Sequence, residues 1–298
     1  MSAAEPPTAD ETRLSPDAWL RGMLAARNLG PTSQKLANYL VTNINAASYA
    51  QASEISASAQ VSASTTTRLA QQLGFKGWPD LQQALRTRYL AQLSMVDIAE
   101  IHGLTDTPFQ NALRNDSELL AATMRDVDDV AIARVAAAVQ SAKRVHVTAM
   151  GSFAAVGQAL VHNLQIAGYH VHALLDRDSA LSNSVAQMGD GDLLIVCSYW
   201  RHYRTIVAAA NAAHRQGATV VALTDYLPPQ LEGAVDDLIM IPAEGTSFFP
   251  SLTVPMAVQQ GLVATLAQLD PEATKVRIDA AERLWNELDI LIDPRSAQ

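Results

Sequence analysis

Three hydroxyls and an arginine, Ser62, Ser64, Thr65 and Arg68, are followed closely by Gln71, Gln72 and Lys76. This is the part of the chain best suited to chemistry with a polyanion. Short hydroxyls near a helix start can approach base edges and phosphates. An arginine a turn further on can pair with guanine or grip the backbone. A second set of donors is scattered through the later sequence: Gly151 and Ser152, then Ser198 with Arg201, His202, Tyr203 and Arg204, then Thr224, then Glu244 and Ser247. Each lies where a strand-like run gives way to a helical one, and free N–H groups at a helix start favour an anion. One such loop also fits a plain helix cap. Several converging point to a pocket for an anion or polar metabolite.

The first set must be held by helices. Ser53 to Leu81 reads as two short helices around a tight turn. Ile55 and Ala59 share a face of the first helix, and Val61 and Ser62 form the turn. Ser62 is the expected N-cap, its hydroxyl accepting a backbone N–H two or three residues on, worth about 1 kcal/mol. Thr66, Leu69, Ala70 and Leu73 fall at helical spacing toward a core, and Gly74 supplies the stop. The opposite face carries Ser64, Thr65, Arg68, Gln71 and Gln72, with Lys76 as an exposed phosphate contact and Phe75 and Trp78 as core aromatics. This is the layout of a helix-turn-helix, whose second helix enters the DNA major groove. A solvated face in an ordinary helical bundle is the alternative.

The second set must be held by a sheet. From Arg144 onward, strand-like runs (RVHVTAM, YHVHALL, DLLIVCS, TVVALT, LIMIP) alternate with helical segments that include Phe153 to Ala167, Tyr203 to Gln216 and Ser251 to Leu269. Five strands with helical crossovers imply a doubly wound parallel sheet, with ligands outside the carboxyl ends of the strands. Between them Asn111 to Met124 and Val130 to Val139 read as helices.

Charge separates the two regions. The net charge of −9 argues against a nucleic-acid partner, yet residues 13–92 carry eight basic and three acidic side chains, a net +5, while residues 93–298 carry −11. A basic head on an acidic body suits a chain in which one end meets phosphate. The first residues, MSAAEPPTADETRLSPD, read as a flexible acidic tail with no signal peptide, and no apolar run reaches membrane-spanning length. The single cysteine, Cys197, sits in the apolar run LLIVC, which suits a buried strand thiol and a reducing cytoplasm. The seven histidines show no metal-ligand spacing, so neither metal nor cofactor is expected.

The run from Ser62 to Leu81, SASTTTRLAQQLGFKGWPDL, resembles the signature of RpiR-type transcriptional regulators. The resemblance implies a helical, winged-helix-like DNA-binding domain, with helices before it that include Gln34 to Ile44. Residues from Val130 to Leu269 resemble the sugar isomerase (SIS) domain that such regulators carry. SIS domains hold phosphosugars through loops after the first and third strands, and this chain departs from that pattern. Phe153 stands where the phosphate-binding serine is usual. Ser198 fits the third-strand loop, but Trp200, Arg201 and Tyr203 replace its next serine, glycine and threonine. Arg201 and Arg204 could instead hold an anion by side chains.

The expected organisation is a tail (1–15), a helix-turn-helix domain (16–92), a helical linker (93–129), a SIS-like effector domain (130–270) and a C-terminal helix and tail (271–298). The expected function is a cytoplasmic transcriptional regulator and not an enzyme. It would bind a pseudo-palindromic operator in double-stranded DNA as a homodimer or homotetramer, burying helices such as Val254 to Leu269 between subunits. A small anionic metabolite, phosphosugar or organic acid, would control it, with repression relieved by ligand as the expected arrangement. The alternatives are a sugar-phosphate isomerase using Glu244 and His202, or a non-catalytic interaction module.

Overall fold

The computed structural model describes residues 15–103, 105–175 and 179–290. Arg13, the expected N-terminal tail short of Ser15, and the last residues of the expected C-terminal tail lie outside them. The chain divides into two compact units that part after Gly103.

The first unit contains α1 (Pro16–Ala25), α2 (Pro31–Thr42), α3 (Ile44–Tyr49), α4 (Ala52–Ser58), α5 (Ala63–Gln72), α6 (Trp78–Gln92) and α7 (Met95–His102). Its starts are chemically marked: Ser15 Oγ accepts the Ala18 N–H at 3.3 Å, and Pro16, Pro31 and Pro79 stand in first turns, where a missing N–H costs nothing. The apolar faces meet in one core of Leu20, Leu36, Leu40, Ile55, Leu69, Leu81 and Leu85, with Trp78 against it. Burying a leucine stabilises by about 1.5–3 kcal/mol, so this core outweighs the weak helix propensity of a hydroxyl-rich α5. The fold class is the expected one. The described residues of this unit form no strand, so the wing of a winged helix is absent from them and α6 follows α5 directly.

The second unit contains α8 (Pro108–Asp126), α9 (Asp129–Ser141), β1 (Arg144–Ala149), α10 (Ala154–Ile166), β2 (Val171–Leu174), α11 (Ser179–Val185), β3 (Asp192–Cys197), α12 (Arg204–Arg215), β4 (Thr219–Thr224), β5 (Asp237–Met240), α13 (Thr253–Leu269) and α14 (Pro271–Glu287). All pairings are parallel, in the order β2-β1-β3-β4-β5. The order reverses between β1 and β3, and that switch point is where a doubly wound sheet opens a crevice at its carboxyl edge. Every residue of β3 is buried, because α9, α10 and α13 cover one face of the sheet while α11 and α12 cover the other. Alternate strand residues divide accordingly: Val145, Val147, Ile195 and Cys197 join one core, Leu194, Val196 and Val220 the other.

One expectation is revised here. The stretch 93–129, read as a linker, is divided between the units. α8 is tied into the second, where Asp116 accepts from Ser251 Oγ at 2.7 Å and Thr253 Oγ1 at 2.6 Å. In α13, Val254, Leu262 and Leu266 are buried in their own domain, so that face is already taken. Large apolar side chains left exposed on helices include Phe109, Leu113 and Met124 of α8, Val276 and Leu284 of α14, Met95, Val96 and Ile101 of α7, and Leu269 at the end of α13.

Candidate functional site

The polar face of α5 is built by the turn before it and the stop after it. Gly74, at φ 96°, takes the left-handed position that an L side chain resists. There Gly74 N–H donates to Gln71 O and Phe75 N–H to Ala70 O, both at 3.0 Å. This double closure satisfies the last carbonyls of the helix. At the start, Ser62 occupies the N-cap as expected, but its hydroxyl bonds to Ser64 Oγ (3.0 Å) and Thr65 Oγ1 (2.9 Å) rather than to a backbone N–H.

Ser64, Arg68, Gln71, Gln72 and Lys76 are exposed as expected. Thr65 is not on this face: it is only 3% exposed, beneath the helix beside Thr66 and Leu69. Spacing alone contains the reason. Thr65 lies four residues before Leu69, one turn along the buried row. Thr67, which the sequence reading passed over, is exposed and completes the outward row Ser64, Thr67, Arg68, Gln71. Small polar side chains with one arginine in that row match what major-groove readout requires. Trp78 is buried, and Phe75 packs edge-on to Trp19 with ring centroids 6.3 Å apart, so both serve the core.

At the sheet, strand register gathers the loops. Ala149 pairs with Cys197 and Cys197 with Leu223, so the residues after β1, β3 and β4 emerge side by side. Ser198, buried at 3%, shares a 2.9 Å hydrogen bond with His202 Nδ1, and the His202 ring packs edge-on to Tyr226 at 4.6 Å. Thr224 is buried and its hydroxyl donates to Tyr226 O at 2.7 Å. Trp200 is held at φ 60°, a strained position for a bulky residue. Its N–H donates to both carboxylate oxygens of Asp225, at 2.9 and 3.0 Å, while the Arg201 guanidinium stacks 4.7 Å from the Trp200 ring.

The first and third loops touch. A Cβ placed on Gly151 would fall 2.7 Å from the Tyr203 hydroxyl, and Thr205 Oγ1 donates to Met150 Sδ at 3.3 Å. Phe153 is buried against Tyr199, centroids 4.5 Å apart. Ser152 and Arg204 are exposed, and Arg201 is half-buried. In the loop after β5, the Glu244 backbone carbonyl accepts from Asn115 Nδ2 of α8 at 2.9 Å. The structure brings Gly151 against Tyr203 and Ser198 against His202, and adds the contacts of Asp225 and Tyr226. Their contacts depend on the β3–β4 register, which no local pattern announces.

Two buried groups nearby are inert. Burial pushes the Cys197 thiol up to about 12 and raises the Tyr199 phenol well above its ordinary range, so neither supplies an anion at neutral pH. At the opposite, amino edge of the sheet, Arg144 grips Asp192 in a fork of 2.9 and 2.6 Å, and that hydrogen bond keeps the carboxyl below its usual range. Its distance from the strand ends makes it a fastening of β1 to β3.

A helix-turn-helix head and a doubly wound parallel sheet with converging strand-end loops together define a class: the two-domain, ligand-responsive transcriptional regulators. Residues 25–92 match the helix-turn-helix domain of the rpiR family, and residues 138–264 match the SIS domain. The chain is 26% identical over 285 residues to the uncharacterized HTH-type transcriptional regulator YfhH of Escherichia coli (strain K12), covering 90% of this chain and 100% of that protein. Among solved structures, the sugar isomerase domain of an RpiR transcription factor from Sphaerobacter thermophilus is 29% identical with a TM-score of 0.57, covering 60% of this chain and 99% of that one. The Vibrio vulnificus NanR protein, complexed with ManNAc-6P, shares the fold at 20% identity and TM-score 0.55, over 92% of this chain and 98% of that one. The chain belongs to the RpiR-type transcriptional regulators, with an N-terminal helix-turn-helix and a C-terminal SIS domain.

Proposed function

We propose that this regulator binds a pseudo-palindromic operator as a homo-oligomer in the cytoplasm, and that a small anionic metabolite at the strand-end loops of the SIS domain weakens that binding. The observation that carries the DNA half is the exposed row Ser64, Thr67, Arg68 and Gln71 on a helix whose other face is wholly core. Net positive charge in the head supports it. The effector half is supported by the convergence of the loops after β1, β3 and β4 at the switch point. NanR, of the same fold, was solved with a phosphosugar. The exposed apolar residues of α8 and α14 are the surface we assign to self-association. Paired heads would then meet half-sites about one helical turn apart.

An isomerase reading finds less support. Proton transfer beside a carbonyl needs a base placed against the substrate. His202 Nδ1 is already bonded to Ser198. The direct test is a gel shift of the purified protein on DNA flanking its own gene, titrated with salt. Affinity should fall steeply as salt rises, since each phosphate contact releases counterions. Affinity that is absent, or indifferent to salt, removes the DNA half of the proposal.

A further inference from the structure

The turn before α5 holds a conformation that costs stability. Gln60 closes α4 at φ 52°, the left-handed position that a residue with a Cβ resists and that Gly74 takes at the end of α5. Its N–H donates to Ala57 O at 3.0 Å, and the N–H of Val61 donates to Ser56 O at 2.9 Å. The backbone therefore needs this shape, but a glycine would supply it with less strain. What glutamine adds is a side chain: Gln60 Oε1 accepts from Lys35 Nζ of α2 at 3.0 Å. A strained residue that holds one particular group points to a use for that group.

The group is an ammonium beside the start of α5. Lys35 is exposed, while its neighbours Leu36 and Ala37 are buried in the core that α2 shares with α5. The acids of residues 15–92 are engaged elsewhere. Asp17 faces Arg21, Glu54 accepts the Gln51 N–H, and Asp80 accepts the Lys76 N–H. Gln60 is neutral, so it fixes the lysine stem without quenching the charge. It lies two residues before Ser62, the N-cap of α5, and four before Ser64, the first of the outward row. An ammonium held there stands at the edge of the groove that receives α5, where the phosphates run. We propose that Lys35 is a DNA phosphate anchor supplied from outside the helix-turn-helix pair, and that Gln60 is the positioning residue that aims it. The inference rests on the reading that α5 enters the groove.

The experiment is a salt titration of DNA binding by the full-length protein, on a duplex flanking its own gene and on a random-sequence duplex of equal length. Lys35→Ala should weaken both by the same factor, roughly five- to tenfold near 0.1 M salt, and lower the slope of log affinity against log salt by about 0.9. Lys35→Arg should keep the wild-type slope. Gln60→Gly should hold or raise the melting temperature, yet weaken both duplexes roughly two- to tenfold, because the lysine must then be ordered on binding. A purely structural turn residue would move stability and affinity together. An unchanged slope in Lys35→Ala, with Arg68→Ala still weakening binding, overturns the inference and leaves the groove reading standing. Undiminished affinity in Gln60→Gly overturns the positioning role. A wild type with no salt-dependent affinity for either duplex overturns both readings.

Discussion

The two regions that carry function are built on opposite plans. On α5 the outward residues Ser64, Thr67, Arg68 and Gln71 lie on the solvent side of a helix whose fold depends on Leu69, Ala70 and Leu73 beneath them. At the SIS strand ends, by contrast, the polar and aromatic side chains of the site hold one another. Ser198 is bonded to His202, Trp200 to Asp225, and Tyr203 lies on Gly151. A helical surface can therefore change its polar residues at little cost to stability. A loop cluster at a sheet edge cannot, because the contacts that form the site also fix the loops.

The largest expected effect breaks the comparison at its foundation. Leu69→Ala removes a fully buried side chain and should cost the head about 2–5 kcal/mol. Calorimetry should show the head's transition moving down while that of the SIS domain holds. A single merged transition that shifts as a whole would mean that the units do not melt separately.

Acid should act on the SIS domain through a buried histidine. His146 on β1 is 5% exposed, stacked on His172 at 5.0 Å, and burial followed by the His172 charge lowers it to about 4 from 6.5. Above pH 6.5 both folded and unfolded forms hold it neutral, and no stability depends on it. Between pH 6.5 and 4 the unfolded chain binds the proton and the folded one does not. Stability should therefore fall across that window, by on the order of 3 kcal/mol at most. His146→Leu should flatten the slope of SIS-domain melting against pH; an unchanged slope would place its origin elsewhere.

Smaller effects sharpen the contrast. Arg68→Ala should weaken operator binding by about 1–3 kcal/mol if the side chain reads a base, with no change in melting. Asp225→Ala should do the reverse. It leaves the Trp200 N–H without its acceptor, lowering SIS-domain stability by about 1–3 kcal/mol while DNA affinity without ligand is retained. Smallest is Ser62→Ala. Because the Ser62 hydroxyl bonds to side chains and not to the helix backbone, its loss should cost less than the usual cap value of about 1 kcal/mol in a chemical denaturation series.

The elements and their order were legible in the chain, since helical spacing and strand-like apolar runs are local properties. The run DLLIVCS became β3, TVVALT became β4, and the stop at Gly74 fell where the turn chemistry required it. The short helix α11 was missed, having neither length nor a clear apolar stripe. Thr65 was assigned to the wrong face although its spacing from Leu69 held the answer, because a hydroxyl beside other hydroxyls reads as exposed.

What the sequence determined by itself was therefore the kind of molecule. It has a hydroxyl-and-arginine helix on a basic head and a five-stranded parallel sheet behind it, with departures from the phosphosugar loops at Phe153, Trp200, Arg201 and Tyr203. What only the tertiary structure decided was what those departures do. Tyr203 reaches Gly151 across 52 residues of chain, and Asp225 reaches Trp200 across 25. Both contacts exist because the β1–β3 and β3–β4 pairings bring the strand ends into one plane. Long-range register is a property of the closed sheet, and no local run of residues encodes it.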